Sequence, residues 1–301
     1  MIIDAHSHYM PPEVAEHTAF FKQGWSDVDR QLQMMDEHHI DRAVLLYPTS
    51  DAHINMKGWN NLVEVYNPAI AKMVGGHPDR FVGAGIIPYG DSKGLEEALL
   101  RVQDLGLTVL SLASSYDGTY LDDKFFDPVW EFASDNKFPV HVHAQIIKPI
   151  GHERVEDPLL SPVLEYVMDV TMCLGKLMMS DIFLRYPDIQ FIFPHYGGVL
   201  PIVKDRFDST YHMLRKRNYV KELAKPPSGW FQNLFYDMSG SSSVASLMCC
   251  LEVAGPEQIL FGSDFPANPS PRGALEAARQ AGLSENDVAN INGNNILRLI
   301  Q

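Results

Sequence analysis

The chain has 301 residues, 46% hydrophobic and 21% charged, which is the composition of a folded protein that can bury a sizeable core. Its 24 lysines and arginines face 38 aspartates and glutamates, and the formal net charge of -14 would repel nucleic acid and anionic membrane surfaces. We therefore expect neither of these as a partner.

The cysteines Cys173, Cys249 and Cys250 are odd in number and form no CxxC pair. This pattern favours reduced thiols that pack on helices over a disulfide framework. The amino terminus MIIDAHSH lacks a basic segment followed by an apolar one, and no later segment has the length of a membrane-spanning run. We therefore expect a cytoplasmic protein.

Short β-rich segments alternate with helical patterns along the whole chain, as in the βα units that build a parallel sheet. Helical periodicity covers, for example, residues 29–38 and 95–105. Eight strands with helical crossovers predict an α/β protein with a single (β/α)8 barrel domain over residues 1–301. The predicted strands are 2–8, 43–47, 81–87, 108–112, 139–143, 189–195, 234–238 and 259–264.

Two segments, 10–28 and 144–161, are longer than a simple connection, and each follows a predicted strand. In a barrel the carboxyl ends of the strands carry the active site. We therefore interpret both segments as lids or pocket walls rather than as linkers between domains.

His6 and His8 end the first strand as an H-x-H motif, and residues two apart on a strand point to the same face. Two neutral imidazoles that converge on one point are suitable ligands for zinc or a similar cation. For an isolated motif the alternative remains that polar residues simply end a strand at the surface.

Further polar residues close other apolar strands: His143 the fifth, His195 the sixth and Asp264 the eighth. Such positions lie at the catalytic rim of a barrel, where strand ends that are distant in sequence converge. His6, His8, His143 and Asp264 then offer three nitrogens and a carboxylate, a complete cation site with room for water.

His195 precedes Gly197 and Gly198, which allow the backbone to approach the pocket closely. We interpret it as a general acid or base rather than a fifth ligand, because an imidazole beside metal-bound water transfers protons near neutral pH. The alternative is a buried histidine held by backbone groups. His141 shares the face of His143 one layer deeper, so we favour a structural role for it.

The motifs of nearly the whole chain resemble the second amidohydrolase family, in particular members like aminocarboxymuconate-semialdehyde decarboxylase. The resemblance implies a (β/α)8 barrel in which His6, His8, His143 and Asp264 bind the metal and His195 is the catalytic histidine. It rests on IIDAHSHYMPP, DRFVGAGIIP, FFDPVWEFA, PVHVHA, YPDIQFIFPHYGGVLP, NLFYDMSG, ILFGSDFP and GNNILRLI.

The family includes nonoxidative decarboxylases and hydrolases. The long span 144–180, with the helix LEYVMDVTMCLGKLMMSDIFLRYPD before His195, is most similar to the decarboxylase branch. Two positions depart from those relatives, which usually have an aromatic residue at His141 and a proline at Ala144. These departures predict a pocket floor that binds a different acid.

We therefore expect a nonoxidative decarboxylase of a small aromatic or unsaturated carboxylic acid, with a hydrolase of a lactone, amide or C–C bond as the alternative. One divalent metal would act as a Lewis acid, zinc before manganese because of the imidazoles. His195 and Asp264 would carry the proton, and Arg206 would meet a substrate carboxylate in its own or a neighbouring subunit. The resemblance also implies a homodimer.

Two further questions remain open at this stage. The aromatic residues Trp25, Trp59, Tyr89 and Tyr116 either stack on an aromatic acid or pack within the protein. A barrel that binds metal without turnover is a rival from another class, and the intact set of ligands together with His195 argues against it.

Overall fold

Eight short parallel strands form the sheet in this computed structural model, which describes residues 1–21, 23–154 and 157–301. Their order in the sheet is their order in the chain. The strands are β1 (Ile3–His8), β2 (Arg42–Leu46), β3 (Phe81–Gly85), β4 (Val109–Ala113), β5 (Val140–His143), β6 (Phe191–Phe193), β7 (Phe235–Asp237) and β8 (Ile259–Leu260).

The sheet closes on itself between β1 and the segment that follows β8. Ser7 forms a parallel bridge with Phe265, and the amide of Asp264 donates a 2.8 Å hydrogen bond to the carbonyl of His6. The predicted (β/α)8 barrel is therefore confirmed. The closing segment also brings Asp264 beside the H-x-H motif.

Several strands are shorter than predicted, and in two of them this changes the position of a site residue: β6 ends before His195 and β8 ends before Asp264. Both residues have a positive φ, 53° for His195 and 62° for Asp264, which a strand does not accommodate. Each polar side chain therefore stands on a turn just beyond its strand rather than at the end of the strand itself.

Helices surround the barrel and connect its strands. The helices are α1 (Pro12–Ala15), α2 (Val28–Glu37), α3 (Ala52–Asn55), α4 (Trp59–Gly76), α5 (Ser92–Asp104), α6 (Asp127–Asn136), α7 (Tyr166–Met179), α8 (Ile182–Arg185), α9 (Leu200–Lys216), α10 (Val244–Ala254), α11 (Arg272–Gln280), α12 (Glu285–Ala289) and α13 (Asn295–Leu299). None of the helices that the structure describes has both the length and the apolar character needed to cross a membrane.

The helices predicted over residues 29–38 and 95–105 are confirmed as α2 and α5, and side-chain caps determine where they begin. Asp27 accepts a hydrogen bond from the amide of Arg30. Asp91 accepts hydrogen bonds from the amides of Lys93 and Gly94, so α5 starts three residues earlier than its apolar periodicity indicates.

The long helix predicted before His195 is interrupted. A π-turn over Ser161–Glu165 precedes α7, and α8 follows after a break at Ser180. The backbone of Ser180 is extended, and its hydroxyl accepts a hydrogen bond from the amide of Ile182. The sequence pattern missed this break because it depends on the local hydrogen bond of the Ser180 hydroxyl, which a purely apolar periodicity does not reveal.

Apolar side chains fill the amino-terminal half of the barrel. Ile3, Val44, Val82 and Val109 belong to a buried cluster that packs against α13 at Ile296. Burying one such side chain stabilises the fold by roughly 1.5–3 kcal/mol. A larger cluster fills the layer between sheet and helices, and the polar groups gather at the carboxyl ends of the strands.

The buried carboxylate of Asp169 on α7 anchors the loop after β5. It accepts hydrogen bonds from the hydroxyls of Ser114 and Ser115, at 2.5 and 2.9 Å, and from the amide of Ile150 at 3.0 Å. The described parts of the segments 10–28 and 144–161 lie at the carboxyl end of the barrel, as predicted, and residues 22, 155 and 156 lie outside the described residues.

Candidate metal centre

Three buried histidines converge at the carboxyl end of the barrel. His6 and His8 come from β1 and His143 from β5, and their ligand atoms all lie within 4.8 Å of one another. The Nε2 atoms of His6 and His8 are 3.2 Å apart. The alternative that the H-x-H motif merely ends a surface strand does not fit these buried positions.

Hydrogen bonds at Nδ1 orient His8 and His143. Nδ1 of His8 donates to the carbonyl oxygen of Leu46 at 3.2 Å, and Nδ1 of His143 donates to that of Ala144 at 2.8 Å. A carbonyl oxygen only accepts, so the proton of each neutral ring is on Nδ1. The lone pair on each Nε2 is therefore free for a cation.

His6 is held by a carboxylate. Its Nδ1 donates to Oδ2 of Asp237 at 2.8 Å, and Oδ1 of Asp237 accepts from the amide of Ser239 at 2.9 Å. Nε2 of His141 lies 3.1 Å from the same Oδ2 atom. His141, predicted one layer deeper than His143, thus lies beside the carboxylate that holds His6.

Asp264 approaches the histidines from the segment that closes the barrel. Its Oδ1 atom lies 3.2 Å from Nε2 of His8 and 3.7 Å from Nε2 of His6. The structure therefore brings together all four predicted ligands, His6, His8, His143 and Asp264. The contacts of Asp264 within this group are with His6 and His8.

Burial and neighbouring charges keep these groups in the protonation states that bind metal. Burial lowers the pKa of His6 to about 4 against the opposing effect of Asp237, and burial together with His8 and His6 holds the pKa of His143 well below its ordinary value. Burial alone would raise the pKa of Asp264, but the neighbouring imidazoles of His8 and His6 lower it. Neutral imidazoles and an ionised carboxylate form a donor set that fits a divalent cation.

His195 stands at the edge of this centre. Nδ1 of its ring donates to the carbonyl oxygen of Ser239 at 3.0 Å, and its ring centroid is 6.1 Å from that of His6. Its Nε2 atom is left to accept or donate a proton, and the residue lines the cavity above the metal centre. This position suits proton transfer.

Gly197 and Gly198 allow the backbone after His195 to lie close to α7 as well as to the pocket. A Cβ on Gly198 would overlap Oγ1 of Thr171 and lie 2.8 Å from the carbonyl oxygen of Val167. A Cβ on Gly197 would lie 2.9 Å from the ring of Tyr236. The backbone turn that presents His195 therefore packs directly on a helix and a strand.

The cavity above the metal centre has a volume of about 740 Å³. Of the four aromatic candidates, Trp25 lines it. Trp59 and Tyr89 each pack against Tyr116 instead, with ring centroids 5.2 and 5.1 Å from that of Tyr116. Trp59, Tyr89 and Tyr116 therefore pack within the protein, and Trp25 is the one of the four that lies on the cavity wall.

Arg206 does not reach this cavity. It lies on α9 and lines a separate groove between α7 and α9, together with Lys176, Phe207 and Lys221. The structure therefore does not bring Arg206 to His195 of its own chain, because this part of α9 faces away from the barrel mouth.

Sequence reasoning missed three residues of the site. Asp237 ends β7 in the segment YDMSG, so the rule that polar residues close apolar strands applied to it as well. Asp4 is buried, accepts hydrogen bonds from the amides of His6 and Ser263, and has its pKa raised to about 7 by burial. Cys249, expected only to pack, lines the cavity.

Comparisons with known proteins extend over the whole chain. A family model described as amidohydrolase matches residues 3–301. A gamma-resorcylate decarboxylase of Rhodococcus jostii is 24% identical over an alignment of 320 positions, which covers 98% of this chain and 96% of that protein.

Two solved structures agree on the barrel. The 5-carboxyvanillate decarboxylase of Sphingomonas paucimobilis has a TM-score of 0.87 at 23% identity and covers 99% of this chain and 98% of its own. A dihydroxybenzoic acid decarboxylase of Polaromonas sp. JS666, with bound manganese and the inhibitor 2-nitroresorcinol, has a TM-score of 0.83 at 22% identity, covering 99% and 96%. Since the family model spans all but the first two residues, the chain belongs to the amidohydrolase family.

Proposed function

We propose that this protein is a metal-dependent nonoxidative decarboxylase of a small aromatic or unsaturated carboxylic acid. The observation that carries the proposal is the buried group of His6, His8 and His143, with the carboxylate of Asp264 3.2 Å from His8 and His195 on the same cavity. The similarity to decarboxylases of resorcylate and carboxyvanillate supports it.

His6, His8, His143 and Asp264 would hold one divalent cation. When bound, this ion supplies Lewis-acid chemistry, which orients the acid and stabilises negative charge on its oxygens. Three imidazoles favour zinc. The manganese in the Polaromonas relative makes manganese the alternative to be measured.

His195 would supply the proton. Decarboxylation without a redox cofactor needs one proton on the carbon that bears the carboxylate. The C–C bond to the carboxylate then breaks and carbon dioxide leaves. The electron pair of the broken bond restores the unsaturated system. With Nδ1 fixed on the carbonyl of Ser239, Nε2 of His195 can deliver that proton into the cavity. Asp264, the carboxylate at the same site, would share the proton transfer.

A screen of carboxylic acids tests this function. Metal-loaded protein is incubated with hydroxybenzoates and muconate-like acids, and released carbon dioxide is measured together with oxygen incorporated from ¹⁸O-water. Carbon dioxide supports the proposal. Water-derived oxygen in the product, without carbon dioxide, would instead identify a hydrolase, the alternative that the family name keeps open.

Metal analysis accompanies the screen. His143→Ala and Asp264→Ala should each lose the stoichiometric ion, whereas His212→Ala, on the exposed face of α9, should keep it. Native protein that holds no ion and cannot be reloaded would overturn the metal centre. The ion found by mass spectrometry decides between zinc and manganese.

We also propose a cytoplasmic homodimer. The free thiols of Cys173, Cys249 and Cys250 suit a reducing compartment. An apolar stripe at helical spacing supports a dimer: its four side chains are 38–47% exposed and begin beside the cavity. The stripe consists of Leu160, Leu164, Met168 and Met172. A substrate-binding role for Arg206 would require such a neighbouring subunit.

A further inference from the structure

An aromatic wall runs from the metal centre to the surface. The ring of Trp25 lies 5.7 Å from that of His8, Phe21 lies 4.4 Å from Trp25, and Phe20 lies 6.0 Å from Phe21, measured between ring centroids. All three aromatic residues line the cavity. Phe21 is buried, and Phe20 is 81% exposed at the outer end.

Apolar side chains from two other segments also line the cavity. Pro162 and Val163 come from the π-turn before α7, and Pro201 and Ile202 from the start of α9. Val163 is 54% and Ile202 73% exposed. An apolar group of the ligand that covers these exposed side chains would remove their apolar surface from water, which favours binding.

Charge is confined to the inner end of the cavity. Its only described lining residues with acidic or imidazole groups are His8, His143, His195 and Asp264, and no lysine or arginine lines it within the described parts of the chain. An anionic group of the ligand beyond the metal centre would therefore lose water without finding a lysine or arginine among the described lining residues of this chain.

The size of the cavity points to a ligand longer than one ring. About 740 Å³ is in the range of pockets that hold drug-sized molecules. An acid with a single ring, anchored at His8, would leave the outer part between Phe20 and Ile202 unfilled.

We infer that the substrate is an aromatic acid with an apolar alkyl or aryl tail, and that a second anionic group on that tail is rejected. This inference rests on the proposed decarboxylase function for the anchoring of the acid at the metal centre. The tail lies along Trp25, Phe21 and Phe20, in the cavity that Val163 and Ile202 also line.

A homologous series tests the inference. The probes are 2-hydroxybenzoates with unbranched alkyl tails from methyl to heptyl, and the same chains ending in a carboxylate. Dissociation constants are measured by calorimetry on metal-loaded protein, separately from carbon dioxide release. Each methylene buried on the wall should tighten binding by roughly fourfold, and the terminal carboxylate should weaken it by at least tenfold.

Two variants locate the tail. Phe20→Ala should weaken binding of the heptyl acid roughly tenfold and leave the methyl acid unchanged. Leu184→Ala, at a residue 57% exposed on α8 outside the cavity lining, should change neither. Ile202→Lys should restore binding of the chains that end in a carboxylate, because it places a cation at the outer end.

The two readouts separate the inference from the function. If binding tightens with chain length but no carbon dioxide is released, the result supports a substrate with an apolar tail and contradicts the proposed decarboxylase function. Carbon dioxide released from the short acids, with binding that is flat along the series or tighter for the terminal carboxylate, supports the decarboxylase and overturns the tail. No binding by any member overturns the tail as well.

Discussion

The Oδ2 atom of Asp237 lies 2.8 Å from Nδ1 of His6, and both side chains are fully buried. Burial alone would raise the pKa of Asp237, but His6 and His141 hold it well below its ordinary value. An ionised carboxylate behind a ligand histidine fixes the tautomer and the ring orientation. Asp237 is therefore a positioning residue for the metal centre.

Replacing the carboxylate of Asp237 should weaken binding of the metal. In Asp237→Asn the amide oxygen can still accept from His6, but the negative charge that makes Nε2 of His6 a better donor is lost. We expect the metal dissociation constant to rise by about 10–100-fold, measured by competition with a chelator. Asp104→Asn, at an exposed residue on α5, is the matched control. Equal affinities of Asp237→Asn and the native protein would rule out the positioning role.

The sequence predicted that the proposed ligands lie close together, because the carboxyl ends of all barrel strands open on one face. His8 and Asp264 are 256 residues apart and still meet at 3.2 Å. The alternation of apolar strands and amphipathic helices was sufficient to predict this convergence. Closure of the barrel, rather than any local motif, completes the site.

Three-dimensional packing decided what the sequence left open. The rotation of α9 places Ile202 on the cavity and Arg206 on another groove, and helix periodicity alone does not determine which face meets the barrel mouth. The left-handed turns at His195 and Asp264 were also not predictable, because residues other than glycine rarely adopt them.

Replacing His195 should abolish turnover and spare the metal. His195→Asn is the suitable change, since asparagine tolerates the positive φ of 53° at this position. Loss of the proton donor should lower kcat by about 10²–10⁴-fold on whichever acid the screen identifies. Metal content, measured on the same sample, should match that of the native protein. Loss of the ion in this variant would instead make His195 a ligand.

Gly198 should tolerate no side chain. An alanine there would overlap Thr171 and would have to adopt a φ of 73°. Strain and overpacking together should lower the free energy of unfolding by about 2–4 kcal/mol, measured by denaturant titration. Gly175→Ala in α7 is the matched control, because its Cβ would meet its nearest neighbour at an ordinary 3.9 Å. That variant should be as stable as the native protein or gain up to about 1 kcal/mol.

The apolar stripe on α7 and the turn before it should hold the proposed dimer together. A charge at Met168, in the middle of the stripe, would lie against the same stripe of a second copy if the two pack around a two-fold axis. Met168→Glu should therefore give a monomer in light scattering at concentrations where the native protein is a dimer. Met248→Glu, at an equally exposed methionine on α10, should remain dimeric. A native monomer, or a dimer that persists in Met168→Glu, would mean that this surface does not hold two copies together.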